Sequence, residues 1–343
     1  MPQKATRLTQ RDIARLANVS QTTVSLVLNN RSDATARIPA ETRDRVLKVI
    51  RETGYQADPL ARRMLKQRNQ ILGVFTYESV FPSASGDFYH PFLAGIEDCA
   101  ERLGWDLLLF TSAPVADGHR RIFHENNRLR IADGCLLLGR DVPSDELARL
   151  IAEDYPFVSV GRRDDAGAPV PSVGADYTTA TRAVVERALA LGHRHLAYAG
   201  PAAGPAPVAE SSADRLHGFH QVAGHKALVL PTGQPQQLLD LLLERKITAV
   251  FVEERADAVA LLGAATARGI DVPGDLSVVA LGDSTRPVAS DVDFSGFHVP
   301  RRAMGLRAVE LLESILSGTA TSQQVLLPCE LTEGTTLTPP KGV

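Results

Sequence analysis

The stretch RDIARLANVSQTTVSLVLNN, residues 11–30, sets two short helical patterns on either side of Asn18. Ile13, Ala17, Val19, Val24 and Val27 fall at the spacing that gives each helix one apolar face. Ala14 supplies a small residue where the two helices touch. Asn18, four positions on, tolerates the left-handed backbone that a tight interhelical turn requires. Gln21, Thr22 and Ser25 are left on the outer face of the second helix. They are short polar side chains of the kind that meet base edges or phosphates in a DNA major groove. The pattern is that of a helix-turn-helix, and the competing reading is an ordinary αα-hairpin in a structural bundle.

The flanking residues extend this unit. Thr9 can N-cap the first helix, with Asp12 as a partial capping box and Ile13, Leu16 and Ala17 as the apolar face. Ser20 can cap the second helix, which runs to about Leu28. A third helix fits Ala40–Glu52, with Val46, Leu47 and Ile50 at helical spacing and Gly54 as its C′ residue. Residues 1–70 carry 14 Lys+Arg against 6 Asp+Glu, a balance of +8, whereas the remainder carries 23 against 34, a balance of −11. A basic end on an acidic body is the charge footprint of nucleic-acid contact confined to one domain.

Beyond residue 70 the pattern changes. Apolar runs at ILGVF (71–75), DLLLF (106–110), CLLLG (135–139), FVSVG (157–161), HLAYAG (195–200), ALVLP (227–231), AVFVE (249–253) and LSVVALG (276–282) read as strands. Helical stretches at 92–103, 178–191, 236–246, 256–268 and 301–316 separate several of them. Strand-then-helix repetition predicts buried parallel sheets, and this many strands predicts two doubly wound subdomains with a ligand at the strands' carboxyl ends. GPAAGPAPVAESS (200–212) reads as a mobile loop. The fold class is therefore α + α/β, with a helix-turn-helix domain over 1–57, a basic connecting segment over 58–70 and a two-subdomain core over 71–343.

Several function classes are disfavoured. Cys99, Cys135 and Cys329 are odd in number and far apart, so neither a disulfide framework nor a CxxC metal spacing is present. The N-terminus has no apolar signal region and no run of about 18 apolar residues occurs, so a cytoplasmic protein without a membrane span is expected. A dinucleotide dehydrogenase would carry GxGxxG after its first strand and a hydrolase a GxSxG elbow; both are missing. His193-Arg194-His195 is poorly spaced for two metal ligands, and His217 with His220 fit a surface or pocket rim better. No cofactor, metal or catalytic grouping is expected.

TQRDIARLANVSQTTVSLVLN (9–29), IPAETRDRVLKVIRETGY (38–55) and PLARRML (59–65) together resemble the LacI/GalR family of bacterial transcription regulators. PFLAGIEDCAERLGWDLLL (91–109), ALGHRHLAYAGP (190–201), RLHGF (215–219) and GIDVPGDLSVVALGDS (269–284) resemble that family's periplasmic-binding-protein-like core. The resemblance spans nearly the whole chain. It implies a homodimeric DNA-binding repressor, a pseudo-palindromic operator, and a small-molecule effector, either a carbohydrate or derivative or a purine-type co-repressor.

Site residues follow from the same resemblance. Gln21 and Thr22 match the positions that read the operator, while Leu26 stands where an Arg is common. Thr9, Thr23, Ser25 and Asn29 match phosphate-holding positions. Residues 59–66 match the hinge helix, with Ala61 and Met64 toward the minor groove and Arg62 on phosphates; a helix this short is marginal alone, so its formation couples to DNA. In the core, Asp176 and Arg215 match effector contacts. Glu254-Arg255 replaces an Asn-Asp pair, and Gly282 replaces the first Asp of an Asp-Asp pair, leaving Asp283. Phe88 and Tyr89 are candidates to cover a sugar face, and Arg162 joins the set. A solute-binding protein would share the core but not the helix-turn-helix. No leucine heptads follow TPPKGV, which favours a dimer over a tetramer.

Overall fold

The computed structural model describes residues 8–28, 38–53, 55, 68–78, 86–116, 119–164, 166–203 and 208–341. The chain divides into two units, residues 1–69 and 70–343. Asn29, Gly54 and the hinge candidates Ala61, Arg62 and Met64 lie outside the described residues.

In the first unit, helices α1 (Gln10–Leu16), α2 (Gln21–Leu28) and α3 (Ala40–Thr53) surround a core of Ile13, Ala14, Ala17, Val24, Val27 and Val46. Thr9 and Asp12 form a reciprocal capping box on α1, and Ser20 Oγ accepts from the Thr23 amide at 3.1 Å. Asn18 has φ 49°, the left-handed turn its side chain permits. The Arg45 guanidinium donates to the Ala17 carbonyl at 2.9 Å, satisfying an acceptor at the end of α1 and tying α3 to it. Leu16 departs from expectation: it is 53 % exposed. Ile13, Ala14 and Ala17 define the buried stripe, and Leu16 lies one residue, about 100° of helical rotation, away from Ala17.

The second unit contains two mainly parallel six-stranded sheets. The first contains β1 (Ile71–Thr76), β2 (Asp106–Phe110), β5 (Gly134–Leu138), β6 (Phe157–Val160), β7 (Ser172–Ala175) and β13 (Gln324–Leu327), in the order β13-β7-β6-β5-β1-β2. The second contains β8 (Leu196–Ala199), β9 (Leu228–Leu230), β10 (Ala249–Val252), β11 (Ser277–Ala280), β12 (Gly296–His298) and the antiparallel β14 (Glu330–Thr332), in the order β14-β12-β11-β10-β8-β9. A two-stranded ribbon, β3 (Val115–Ala116) and β4 (His119–Arg120), stands apart.

Helices α4 (Gly86–Leu103), α5 (Ser144–Ala152) and α10 (Arg301–Ser317) belong with the first sheet, and α6 (Tyr177–Ala190), α7 (Glu210–Ala223), α8 (Pro235–Glu244) and α9 (Arg255–Ala267) with the second. The chain crosses between sheets three times: from β7 to α6, from β12 to α10 and from β13 to β14. The largest buried apolar cluster takes residues from both sheets, among them Leu72 and Val158 from the first and Tyr198 and Phe251 from the second.

The apolar runs all become strands within one or two residues of their expected bounds. Six short strands (β3, β4, β7, β12, β13 and β14) and helix α5 were not expected. α4 begins at Gly86 rather than 92, with Pro91 inside it. The hydrogen bond Pro91 lacks is offset by burial of Tyr89 and Phe92. α7 begins at Glu210, inside the segment read as a loop; of that loop, Pro201–Ala203 form a 3-10 turn and 204–207 lie outside the described residues. Cys99, Cys135 and Cys329 are free thiols.

His193 is 1 % exposed. Its Nδ1 lies 2.9 Å from Thr248 Oγ1 and its Nε2 2.8 Å from the Thr338 carbonyl, so it fastens the C-terminal segment to the second sheet. Burial holds the imidazole pKa below its ordinary 6.5. The unfolded chain takes up this proton as pH falls through its ordinary value, before the folded chain does. The stability it contributes is therefore present above that pH and lost below it. The melting temperature is expected to fall more steeply between about pH 7 and 5.5 in the parent chain than in His193→Asn. Parallel curves for the two proteins would assign the acid loss to other groups.

Candidate functional site

In the first unit, Gln21 and Thr22 stand exposed at the start of α2, while Thr23, Ser25 and Leu26 are half-buried. Val24 and Val27 point into the core, which holds this outer face in one orientation. The Gln21 carbonyl accepts a long bond of 3.4 Å from Arg11 Nε, leaving its amide N–H groups outward. Thr23 Oγ1 lies 2.9 Å from Ser20 Oγ, and Thr9 is occupied as the cap of α1.

In the second unit, the carboxyl ends of both sheets face one cleft, the location expected of ligand sites in open parallel sheets. It encloses a cavity of about 370 Å³, within the range of small-molecule sites. Its walls come from residues just past strand ends: Gly139 and Arg140 after β5, Gly161, Arg162 and Arg163 after β6, Glu253 and Glu254 after β10, and Asp283 after β11. Tyr177, Asp214 and Arg215 enter from α6 and α7, and Phe88 and Arg301 from α4 and α10.

Of the candidate effector residues, Phe88, Arg162, Arg215, Glu254 and Asp283 line this cavity, whereas Tyr89 and Asp176 do not. Tyr89 is 2 % exposed, and its hydroxyl donates to Glu78 behind the cleft wall. One step along a helix turned Phe88 to the cavity and Tyr89 to the core. Asp176 caps α6, accepting from the Thr179 amide at 3.0 Å. Arg162 is engaged across the cleft: its Nε and Nη2 donate to the two oxygens of Asp214, each at 2.9 Å. These bonds hold the Arg162 pKa above its ordinary value despite partial burial. Arg163 reaches Glu210 at 3.3 Å, a second ion pair between the halves.

Glu254 is a structural carboxylate, accepting from the amides of Ala256 and Thr285 and from the hydroxyls of Ser284 and Thr285. Asp283 is taken up by His298 and by the Val299 amide. Arg215 is 8 % exposed, donates to the Leu281 and Ser211 carbonyls at 2.7 and 2.9 Å, and lies 3.7 Å over the Tyr177 ring.

Arg140, Asp214, Glu253 and Arg301 also line the cavity and were not singled out from sequence. Glu253 is 4.0 Å from Arg215 and accepts from Tyr198 and Ser212 hydroxyls. The adjacent acids at 253–254, placed immediately after a strand, were the available signal. Arg301 heads a helix far from the other candidates in sequence and carries no such signal. His193, His217 and His220 do not line the cavity. Among the described residues, no group of three or more His, Cys, Asp and Glu could hold a metal ion, and no helix is long and apolar enough to cross a membrane.

Comparison with known proteins follows these divisions. The family model for bacterial regulatory proteins of the lacI family matches residues 9–58. That for periplasmic binding proteins and the sugar binding domain of the LacI family matches 78–240, and a periplasmic binding protein-like domain matches 185–337. Catabolite control protein A of Priestia megaterium is 25 % identical over 337 residues, 92 % of this chain and 95 % of that one. The transcriptional repressor CytR of Escherichia coli K12 is 27 % identical over 348 residues, 95 % of each. The solved lac repressor dimer bound to operator and the anti-inducer ONPF superposes with a TM-score of 0.74 at 23 % identity, covering 96 % of this chain and 99 % of that one. The regulator CelR in complex with cellobiose gives 0.60 at 24 % identity, covering 96 % and 100 %. With the helix-turn-helix and the two-sheet core matched in order along the chain, this protein belongs to the LacI family of bacterial transcriptional regulators.

Proposed function

We propose that this chain is a cytoplasmic, homodimeric transcriptional repressor that reads a pseudo-palindromic operator and is controlled by a small carbohydrate-type effector held in the cleft of residues 70–343. The observation that carries the DNA reading is the outward pair Gln21-Thr22 on a helix fixed by buried Val24 and Val27, at the end of the chain that holds the basic excess. The effector reading rests on the cavity at the strand ends, lined by Arg215 and Phe88. The lac repressor dimer solved with operator and CelR solved with cellobiose support the same pairing of activities.

The mechanism is linkage. Arg162 with Asp214 and Arg163 with Glu210 join the halves across the cleft. An effector with different affinity for open and closed forms shifts their balance, and the shift alters operator affinity, typically by about 5–150-fold. Residues 59–66 are the proposed relay, with Ala61, Met64 and Arg62 on the minor groove and its phosphates. A wedged side chain there needs bent, specific DNA.

The test uses an operator selected from a random duplex library and an unrelated duplex at the same salt concentration. Gln21→Ala is expected to cost about 1–3 kcal/mol on the operator and little on the unrelated duplex; Met64→Gly should show the same asymmetry. Equal losses on both duplexes would refute the base-reading and wedging roles.

A further inference from the structure

The charged groups around the cleft are unequally satisfied. Asp214 is held by Arg162, Glu210 by Arg163 and Asp257 by Arg286. Glu254 is occupied by the hydroxyls of Ser284 and Thr285, and Asp283 by the His298 imidazole and the Val299 amide. On the cationic side, among the described residues, the Arg140 guanidinium donates to the Thr285 carbonyl and that of Arg301 to the carbonyls of Asp283 and Ser284. Among the described residues no carboxylate lies within ion-pair distance of either. Arg301 is nevertheless 8 % exposed, as is Arg215. Both arginines hang from one turn, Arg215 on the carbonyl of Leu281 and Arg301 on those of Asp283 and Ser284. Burial makes the Arg301 charge harder to hold than usual; Asp283, Tyr177 and Glu254 oppose this without cancelling it, and repulsion from Arg215 adds to it.

Two glycines make room for guanidinium groups at this cleft. A Cβ at Gly161 would lie 3.2 Å from Arg163 Nη1, and one at Gly282 would lie 3.2 Å from Arg215 Nη2. Among the described residues the Arg215 guanidinium donates through Nε and Nη1, and the side chain lines the cavity. The guanidinium carbons of Arg140 and Arg301 both lie over the Phe88 ring, 4.9 and 4.8 Å from its centroid. Arg215 has Glu253 at 4.0 Å, a carboxylate that also accepts from the Tyr198 and Ser212 hydroxyls; Arg301, buried with its hydrogen bonds going to carbonyls, is the charge that stays costly until an opposite one arrives.

We propose that the effector is an anionic, hydroxylated small molecule, a sugar acid or a sugar phosphate, whose negative group is received by Arg215 and Arg301 with Arg140 at the rim. This rests on the cleft being the effector site. Charge-assisted bonds from planar guanidinium groups suit both carboxylate and phosphate, and Ser211 and Thr232 on the same walls offer hydroxyls to the polyol.

The test is titration of the full chain with matched probes: D-glucose against D-glucuronate and D-glucose 6-phosphate, and D-galactose against D-galacturonate. At least one anion is expected to bind about tenfold or more tightly than its neutral partner, and whether a uronate or the phosphate does so separates the two sources. Arg301→Gln keeps an amide donor for the turn carbonyls but removes the charge, and should lower anion affinity about tenfold and neutral-sugar affinity by clearly less. If that variant fails to fold, Arg140→Gln, on the exposed rim, should narrow the same preference. Neutral sugars binding as tightly as their acids, equal losses for both, or no binding of any anion at millimolar concentration would overturn the proposal. Neutral binding that still requires Arg215 would leave the cleft as effector site and remove only the anionic class. Binding left unchanged by Arg215→Ala would remove the cleft reading itself.

Discussion

Gly305→Ala is expected to destabilise the core by about 3 kcal/mol or more, lowering its melting temperature by about 6 °C or more. Helices α4 and α10 cross with their backbones nearly touching. A Cβ at Gly305 would fall 2.1 Å from the Phe92 carbonyl oxygen, and one at Gly95 would fall 1.9 Å from that of Arg302. The obstruction is main chain in both directions, so no side-chain rotation relieves it and the helices must separate. Separation would loosen Ile96, Met304 and Ala308, all buried at the contact, and strain the ion pairs Arg102–Glu310 and Arg302–Asp98. Gly263 is the control. It is also helical, but a Cβ there meets nothing within 4 Å, so Gly263→Ala should be neutral or stabilising by up to about 1 kcal/mol. Thermal melts of the three proteins decide the matter; indistinguishable curves for Gly305→Ala and Gly263→Ala would contradict this packing.

Arg215→Ala should abolish the effector response while sparing DNA binding. The side chain is buried, joins α7 to the Leu281 carbonyl, stacks on Tyr177 and approaches Glu253. Its removal takes away a cavity donor and leaves Glu253 without its nearest cation. Loss of one member of a buried charged contact costs about 2–5 kcal/mol, so the effector midpoint should move at least about 30-fold, since each 1.4 kcal/mol is tenfold. Operator affinity without effector should stay near that of the parent, because the helix-turn-helix folds around its own core. An unchanged midpoint in an operator-release titration would exclude Arg215 as a contact.

The features most readable in sequence were those whose causes are close together along the chain. Thr9 caps α1 through a residue three positions on, Asn18 turns left-handed by its own chemistry, and Val24 and Val27 set the face of α2. Core strands such as Ala249–Val252 were readable because burial on both faces requires unbroken apolar runs. β13 and β14 were missed because they are edge strands with Leu326 and Leu331 about half exposed at 52 % and 53 %, so their polar-interrupted pattern resembles a loop.

The effector site was half readable. Neighbours Phe88 and Tyr89 are chemically interchangeable candidates, and only the way α4 lies against the sheet turned one to the cavity. Asp176 and Asp283 are likewise both carboxylates beside strand ends, yet the first is a helix cap outside the cavity and the second lines it. From the residues alone come the helix-turn-helix, the paired sheets and the polarity of the strands, because capping, turn chemistry and hydrophobic period act over a few residues. The pairing of Arg162 with Asp214, the isolation of Arg301 among carbonyls and the glycine contact of α4 with α10 come from folding. These join groups from roughly 20 to roughly 210 positions apart, and charge type or residue size does not say which partner will arrive.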